Sequence, residues 1–437
     1  MKNKITFLNW RFLLIILSIA LCIIIVIVKI LSIQISDSIF LQNEGAKRYI
    51  KYKEIVPTRG TIFDRNNLPL AVSVVNYDLY ALKGFQKKQL LKLSKIFELD
   101  TDFSVQKFSK KTLLKKNITN EEILLLKKLK LSSIEVESRH SRHYPLGDQI
   151  SPLIGFFGKD GAQEGLEKSY DNVLSGLPGR QKYFKNAKQE LISQPIELVK
   201  LKHGSDVHLT IDATIQFYAY KHLVEGIKSN KAKSGTVIIL DNKKGEILAM
   251  ASYPSYNPNH PKRKIQKNRA LVDAYELGSV LKPIVLSKAI ENKVIAPNKY
   301  IDIPRRLNLN DKIIVDSKAH EQLTPKEIIS VSSQIGASKI ALELGYKDLK
   351  DNYYDYGFTK PISINFPSSA LGYINVKENV SKKELASLGY GYGVTISPFQ
   401  IASAYSVFAN EGIFKDFKLL QNSEVTSRKI ISSDTAK

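Results

Sequence analysis

The stretch SGTVIILDNKKGEILAMAS, Ser234 to Ser252, consists of two apolar runs separated by Asn242-Lys243-Lys244-Gly245. Asn and Gly accept the backbone angles of a tight turn, so the stretch predicts a β-hairpin. Upstream of it, Val207 to Ile211 (VHLTI) reads as a strand and Asp212 to Ser229 as a helix. Downstream, helical periodicity runs from Ser279 to Glu291, from Thr324 to Leu344 and from Pro398 to Asn410. Strands first and helices after predict an α+β domain over residues 203–437, with the hairpin opening its sheet.

Toward the N-terminus a first block covers residues 36–200. In VPTRGTIFDRNNLPLAVSV (Val56 to Val74), Arg59-Gly60 and Asn66-Asn67 read as turns and Leu70 to Val74 as a strand. The Lys- and Leu-rich run from Lys87 to Lys130 predicts two or three amphipathic surface helices. From Arg139 to Arg180 the chain is dense in Gly and Pro and reads as a connecting region outside the core, with His140 and His143 as a loop pair and not a metal site.

Phe12 to Val28 carries no charged residue, and apolar character continues after Lys29. About 20 apolar residues cross a bilayer core, so residues 12–32 are expected to form a transmembrane signal anchor, with Lys29 snorkelling near its end. No small-residue cleavage site follows, which favours a retained anchor over a removed signal peptide. Lys2, Lys4 and Arg11 precede the span with no acidic residue among them, so residues 1–11 are expected on the cytoplasmic side and the body across the membrane. Cys22, the only cysteine, lies inside the span and excludes an internal disulfide or a cysteine zinc site.

The 437 residues carry a formal charge of +23. That charge invites a nucleic-acid reading, but the lysines are spread along the whole length and lie mostly on the exported side, so nucleic-acid binding ranks last. Hydrophobic residues at 43% and charged residues at 24% exclude collagen-like, low-complexity and disordered classes.

In YELGSVLKP, Ser279 precedes Lys282 by three residues. Positions i and i+3 share a helix face, which puts an amine within reach of a hydroxyl. Serine is a weak nucleophile at neutral pH, and a desolvated Lys beside it can serve as its base. A second S-x-x-K, Ser104 to Lys107, lacks a preceding Gly and an apolar continuation and reads as an exposed helix. Lys233-Ser234-Gly235 precedes the nucleophile and reads as the opening of the hairpin strand.

At this point the chain resembles a known family, because S-x-x-K followed by S-x-N and K-T-G is the signature of penicillin-binding proteins and class A β-lactamases. RGTIFDRNNLPLAVS (Arg59 to Ser73), RHYPLG (Arg142 to Gly147), GLEKSYDNVLSGLPG (Gly165 to Gly179), LTID (Leu209 to Asp212), GEILAMASYPSYNPN (Gly245 to Asn259) and GYGVTISPFQIASAY (Gly391 to Tyr405) look like class B penicillin-binding proteins, in order. The likeness is to the division-specific, FtsI type. It implies a transmembrane helix, an elongated α/β pedestal over 36–200 and a penicillin-binding, serine β-lactamase-like transpeptidase domain over 203–437, in a bacterial inner membrane with the body periplasmic. It also implies that Ser279 attacks the penultimate D-Ala of a D-Ala-D-Ala stem peptide, that Lys282 takes its proton, that Ser332 relays a proton to the leaving amine and that Gln334 contacts substrate. β-Lactams are then expected as inhibitors and an FtsW-type glycosyltransferase with other divisome proteins as partners. No cofactor or metal is implied.

Two departures stand against that pattern. The second motif is Ser332-Ser333-Gln334 where the family has Asn at the third position, and the longer amide arm displaces a positioning group. No K-[ST]-G follows Ser279, so the domain is expected to be incomplete, without its C-terminal strands. In the family that strand supplies a basic group for the substrate carboxylate and one oxyanion donor, whose loss typically costs about 100- to 1000-fold in rate. Two alternatives therefore stay open: a non-catalytic division scaffold or decaying homologue, and an elongation-specific class B relative with the same chemistry.

Overall fold

The computed structural model describes residues 10–35, 37–82, 84–97, 111–129, 131, 133–186, 191–260, 267–309, 312–375 and 379–437. Two compact units are distinguished: Met1–Pro57 with Leu177–His203, and Thr58–Gly176 with Gly204–Lys437.

In the first unit, the helix Trp10–Ile35 buries none of its residues and is almost wholly apolar. Its length at 1.5 Å per residue exceeds the hydrocarbon thickness of a bilayer, so it is long and apolar enough to cross one. A second helix, Ser38–Tyr49, leads into the strand Ile50–Ile55. That strand pairs antiparallel with Gly179–Phe184, which pairs in turn with Ile196–Val199.

In the second unit, the strand Pro69–Ala81 is the organiser. It pairs with Ile134–His143 along a ten-residue antiparallel register from Val72↔His143 to Ala81↔Ile134, and near its end with Thr112–Ile118. Two sequence expectations are corrected here. Thr112–Ile118, expected as helix, is a strand that buries Leu114 and Ile118 beside the helices Lys87–Phe97 and Asn120–Leu129. Its Leu and Lys content favours helix locally, but pairing with a partner strand overrides so weak a preference. His140 and His143 sit in the strand Ile134–His143, not in a loop, and their odd spacing turns them to opposite faces.

The region after Arg139, expected outside the core, is a core element. Tyr144, Ile150, Leu153, Ile154, Leu166 and Leu174 are all buried in one cluster with Ile62, Leu209 and Ile247. Glu167, fully buried, accepts from Arg59 Nε at 2.7 Å, Arg142 Nε at 2.6 Å and the Tyr144 hydroxyl at 3.3 Å. Arg142 also donates to the Gly60 carbonyl at 2.7 Å. Three separated motifs thus meet on one carboxylate. Such groups read as surface turns in a sequence, because only their mutual pairing makes burial tolerable. Removing Glu167 would strand two buried guanidiniums, which typically costs about 3–5 kcal/mol.

The hairpin forms as expected, Gly235–Asp241 against Glu246–Tyr253 with a bulge at Ile239/Leu240. Its turn is closed by the Gly245 amide on the Asp241 carbonyl at 2.8 Å, with Gly245 at φ +68°. The helix Ala213–Ser229 is capped by Asp212, whose carboxylate accepts from the Thr214 and Ile215 amides. Ala219 and Tyr220 of this helix pack on Ala249 and Ala251 of the hairpin. The largest core cluster lies among the helices Lys282–Glu291, Gln334–Leu344 and Tyr346–Asp355 and includes Ile284, Val285, Ile340, Ala341 and Tyr353. The helix expected over Thr324 to Leu344 is two helices, Pro325–Ser330 and Gln334–Leu344, broken at the second motif.

Candidate active site

The strand Tyr275–Glu276 pairs antiparallel with Val394–Ile396 and delivers the chain to Gly278. Gly278 has φ +57°, a left-handed conformation that glycine adopts without a Cβ clash. The chain then makes a 3₁₀ turn, Gly278–Leu281, and enters the helix Lys282–Glu291, with Pro283 in its first turn where no amide partner is lost. Leu281, Ile284, Val285 and Leu286 anchor this helix in the core, while Ser279 is exposed at the turn.

The segment Gly391 to Tyr405 braces the turn from the other side. A Cβ on Gly391 would lie 2.1 Å from the Gly278 carbonyl oxygen, so the two loops touch backbone to backbone. The Gly393 amide donates to Glu276 Oε1 at 2.9 Å, and the Tyr405 hydroxyl donates to the Val280 carbonyl at 2.5 Å. The sequence marked this segment as family-like. Its physical use, holding the turn that carries Ser279, appears only in three dimensions.

Lys282 is 1% exposed. Its Nζ donates to the Ser332 carbonyl at 2.5 Å and to Ser332 Oγ at 3.0 Å. Burial pushes the ammonium down to about 8, against the opposing pull of the Asp316 carboxylate. About one Lys282 in ten is then neutral at pH 7. Lys282 and Ser332 are therefore brought together across 50 residues of sequence. Ser279 stands one turn before Lys282, and no side-chain hydrogen bond joins the two among the described residues. Catalytic hydrogen bonds are commonly long in an empty site and tighten around substrate.

The second motif is held by Asp316, which sequence reasoning missed. One carboxylate oxygen accepts from the Gln334 amide at 2.6 Å and the Ile335 amide at 3.1 Å, the other from the Ser333 hydroxyl at 2.5 Å. Ser333 in turn accepts from the Gly336 amide at 2.9 Å, capping Gln334–Leu344. This is an anion at a helix N-terminus, where free amides and the helix dipole favour it. Only an unremarkable Asp after the short strand Lys312–Ile314 marks it in sequence. The Gln334 main chain is thus fixed by Asp316 whatever its side chain. Ser332, exposed, has φ +57°.

Of the other sequence candidates, Ser104 to Lys107 lies outside the described residues. Lys233-Ser234-Gly235 opens the hairpin strand as expected, and the next residue, Thr236, spends its hydroxyl on the Ala251 carbonyl at 2.7 Å. No group of three or more His, Cys, Asp or Glu that could hold a metal occurs among the described residues.

A buried lysine paired with a motif serine beside an exposed serine turn is an arrangement chemically suited to serine acyl transfer. Residues 54–209 match the penicillin-binding protein dimerisation domain and residues 235–437 the penicillin binding protein transpeptidase domain. The chain is 32% identical over 442 residues to the peptidoglycan D,D-transpeptidase FtsI of Buchnera aphidicola subsp. Schizaphis graminum, covering 96% of this chain and 76% of that protein. To FtsI of Escherichia coli strain K12 it is 30% identical over 431 residues, covering 94% and 73%. Penicillin binding protein 2X from Streptococcus thermophilus has the same fold, with a TM-score of 0.73 at 22% identity over 88% of this chain and 65% of that one. A peptidoglycan synthetase from Bifidobacterium adolescentis gives a TM-score of 0.69 at 20% identity over 89% and 80%. The chain belongs to the class B penicillin-binding protein family, in its FtsI type.

Proposed function

We propose that the chain is a serine D,D-transpeptidase that cross-links peptidoglycan stem peptides of the septal wall during cell division. The observation that carries this reading is Lys282, buried, lowered to about 8 and hydrogen-bonded to Ser332 one helical turn from Ser279. Its relatives are peptidoglycan D,D-transpeptidases by name, which supports the substrate class.

Ser279 Oγ attacks the carbonyl carbon of the penultimate D-Ala as neutral Lys282 takes its proton. The C–N bond to the terminal D-Ala breaks, and Ser332 passes a proton to the departing amine, leaving an ester on Ser279. The amine of a neighbouring stem peptide attacks that ester, an amide forms, and Ser279 regains its proton. Gln334 positions the substrate backbone through its side-chain amide. β-Lactams acylate Ser279 by the same route. The helix Trp10–Ile35 anchors the protein in the inner membrane with its N-terminus cytoplasmic and its body periplasmic, beside divisome proteins including an FtsW-type glycosyltransferase.

The test is labelling of the purified chain by a fluorescent penicillin. Covalent labelling that disappears in Ser279→Ala is expected. Absence of labelling of the folded wild-type chain would leave a scaffold as the better account.

A further inference from the structure

On another side of the transpeptidase half lies a cleft of about 370 Å³. It is walled by the helix Pro398–Ala409, the paired strands Ile413–Lys415 and Ser427–Lys429, and the loop after the helix Tyr346–Asp355. Its volume is that of a small-ligand pocket. On the helix, Phe399, Gln400 and Ser403 face the cleft. Tyr405, whose hydroxyl supports the Ser279 turn, is two residues further on and about 200° around the helix. The cleft and the acylation site thus occupy different faces of one helix.

The cleft combines an apolar wall with positive charge, of which Lys360 is the least engaged. Phe399 and Phe414 are each at most 5% exposed and line it. Lys360 Nζ lies 3.9 Å from the Tyr354 ring centroid, and the Arg428 guanidinium 4.0 Å from that of Phe414. The aromatic faces hold both cations in place; Arg428 also donates from Nε at 3.3 Å and Nη2 at 2.8 Å to the Asp355 carbonyl, so Lys360 is the less engaged of the two. Lys415 also lines the cleft, but its ammonium is engaged by the Asn242 and Lys243 carbonyls at 2.8 and 2.7 Å. The single carboxylate in the lining, Asp416, stands 3.7 Å from Arg428 and accepts from Thr426. Lys360 has no ion pair among the described residues. Burial first and Arg428 second push its ammonium below the ordinary lysine range, with Asp355 and Asp416 opposing. The Ser403 hydroxyl, in a residue 5% exposed, is buried without a hydrogen-bond partner. Buried polar groups rarely stay unpaired in a finished site.

We propose that this cleft is a binding site for a small organic carboxylate with an aromatic or apolar body, its carboxylate held by Lys360 with the Arg428 guanidinium beside it and its body against Phe399 and Phe414. A single negative charge suits the site better than a phosphate dianion, because Asp416 shares the cleft and the walls are poor at solvating charge.

The test is calorimetric titration of the full chain in detergent micelles with 2-naphthoate, neutral 2-naphthamide and 2-naphthyl phosphate. Saturable 2-naphthoate binding with Kd of about 1 mM or tighter is expected. The amide should bind about tenfold more weakly, and Lys360→Gln should weaken the acid about tenfold at an unchanged melting temperature. Equal binding of acid and amide by the wild-type chain, a comparison needing no variant, would overturn the proposal. So would no saturation by about 10 mM, or undiminished binding to folded Lys360→Gln. Tighter binding of the phosphate than of the carboxylate would overturn the ligand assignment.

Discussion

The turn that carries Ser279 and the turn that carries Ser332 have the same backbone twist, φ +57° at Gly278 and φ +57° at Ser332, reached by opposite means. At the first, glycine makes the conformation free of Cβ strain. At the second, a serine holds it at a cost of about 1–2 kcal/mol, offset by what surrounds it. Lys282 donates to the Ser332 carbonyl, and Asp316 ties down the next three residues. The turn at Ser279 therefore takes its twist from its own glycine, with the segment Gly391 to Tyr405 bracing it, while the turn at Ser332 is held in its twist by distant residues. A turn whose twist is local should lose less when a brace is changed than a turn whose twist depends on its supports.

Substitutions at the supports sharpen that contrast. The largest effect is expected from Lys282→Ala, which removes both the proposed base and the donor to Ser332. Penicillin acylation should fall by about 1000-fold or more, read as the second-order labelling rate. Asp316→Ala should come next, with acylation down about 100-fold as Ser332 loses its placement. Freeing one hydroxyl and two helix amides should also lower unfolding stability by about 2 kcal/mol in denaturant titration. Gly391→Ala acts on the Ser279 turn from outside, since its Cβ would meet the Gly278 carbonyl and its φ of +88° disfavours any side chain. About a tenfold loss of acylation and a lowered melting temperature are expected. Gln334→Asn should be the mildest, changing acylation by less than about tenfold, because Asp316 fixes the main chain at that position independently of the side chain.

The same contrast explains what the sequence could reveal. Ser279 and Lys282 are three residues apart, and their Gly, Pro and apolar neighbours specify a turn followed by a packed helix, so the pair was legible. The hairpin and the helices Ala213–Ser229 and Pro398–Ala409 were legible for the same local reason. The resemblance points to Ser332 but not to its contacts, because Lys282 meets it across 50 residues and Asp316 has no local signature. The helical periodicity runs unbroken through Val331 to Ser333, since periodicity alone does not register one left-handed residue. The Arg59–Glu167–Arg142 group was hidden too. Its residues look like solvated turn charges until the fold places them on one another.

The central claim is that Lys282, held neutral more readily by burial, is the base for Ser279. Its folded pKa is depressed, so the reactive neutral form grows as pH rises toward about 8. Asp316 favours the charged form, so its removal should move the midpoint lower. The direct measurement is the second-order rate of β-lactam acylation from pH 6 to 10. A rate rising about tenfold per pH unit below 8 and levelling above it is expected, with the midpoint lower in Asp316→Asn. A rate flat across that range in the folded wild-type chain would contradict it.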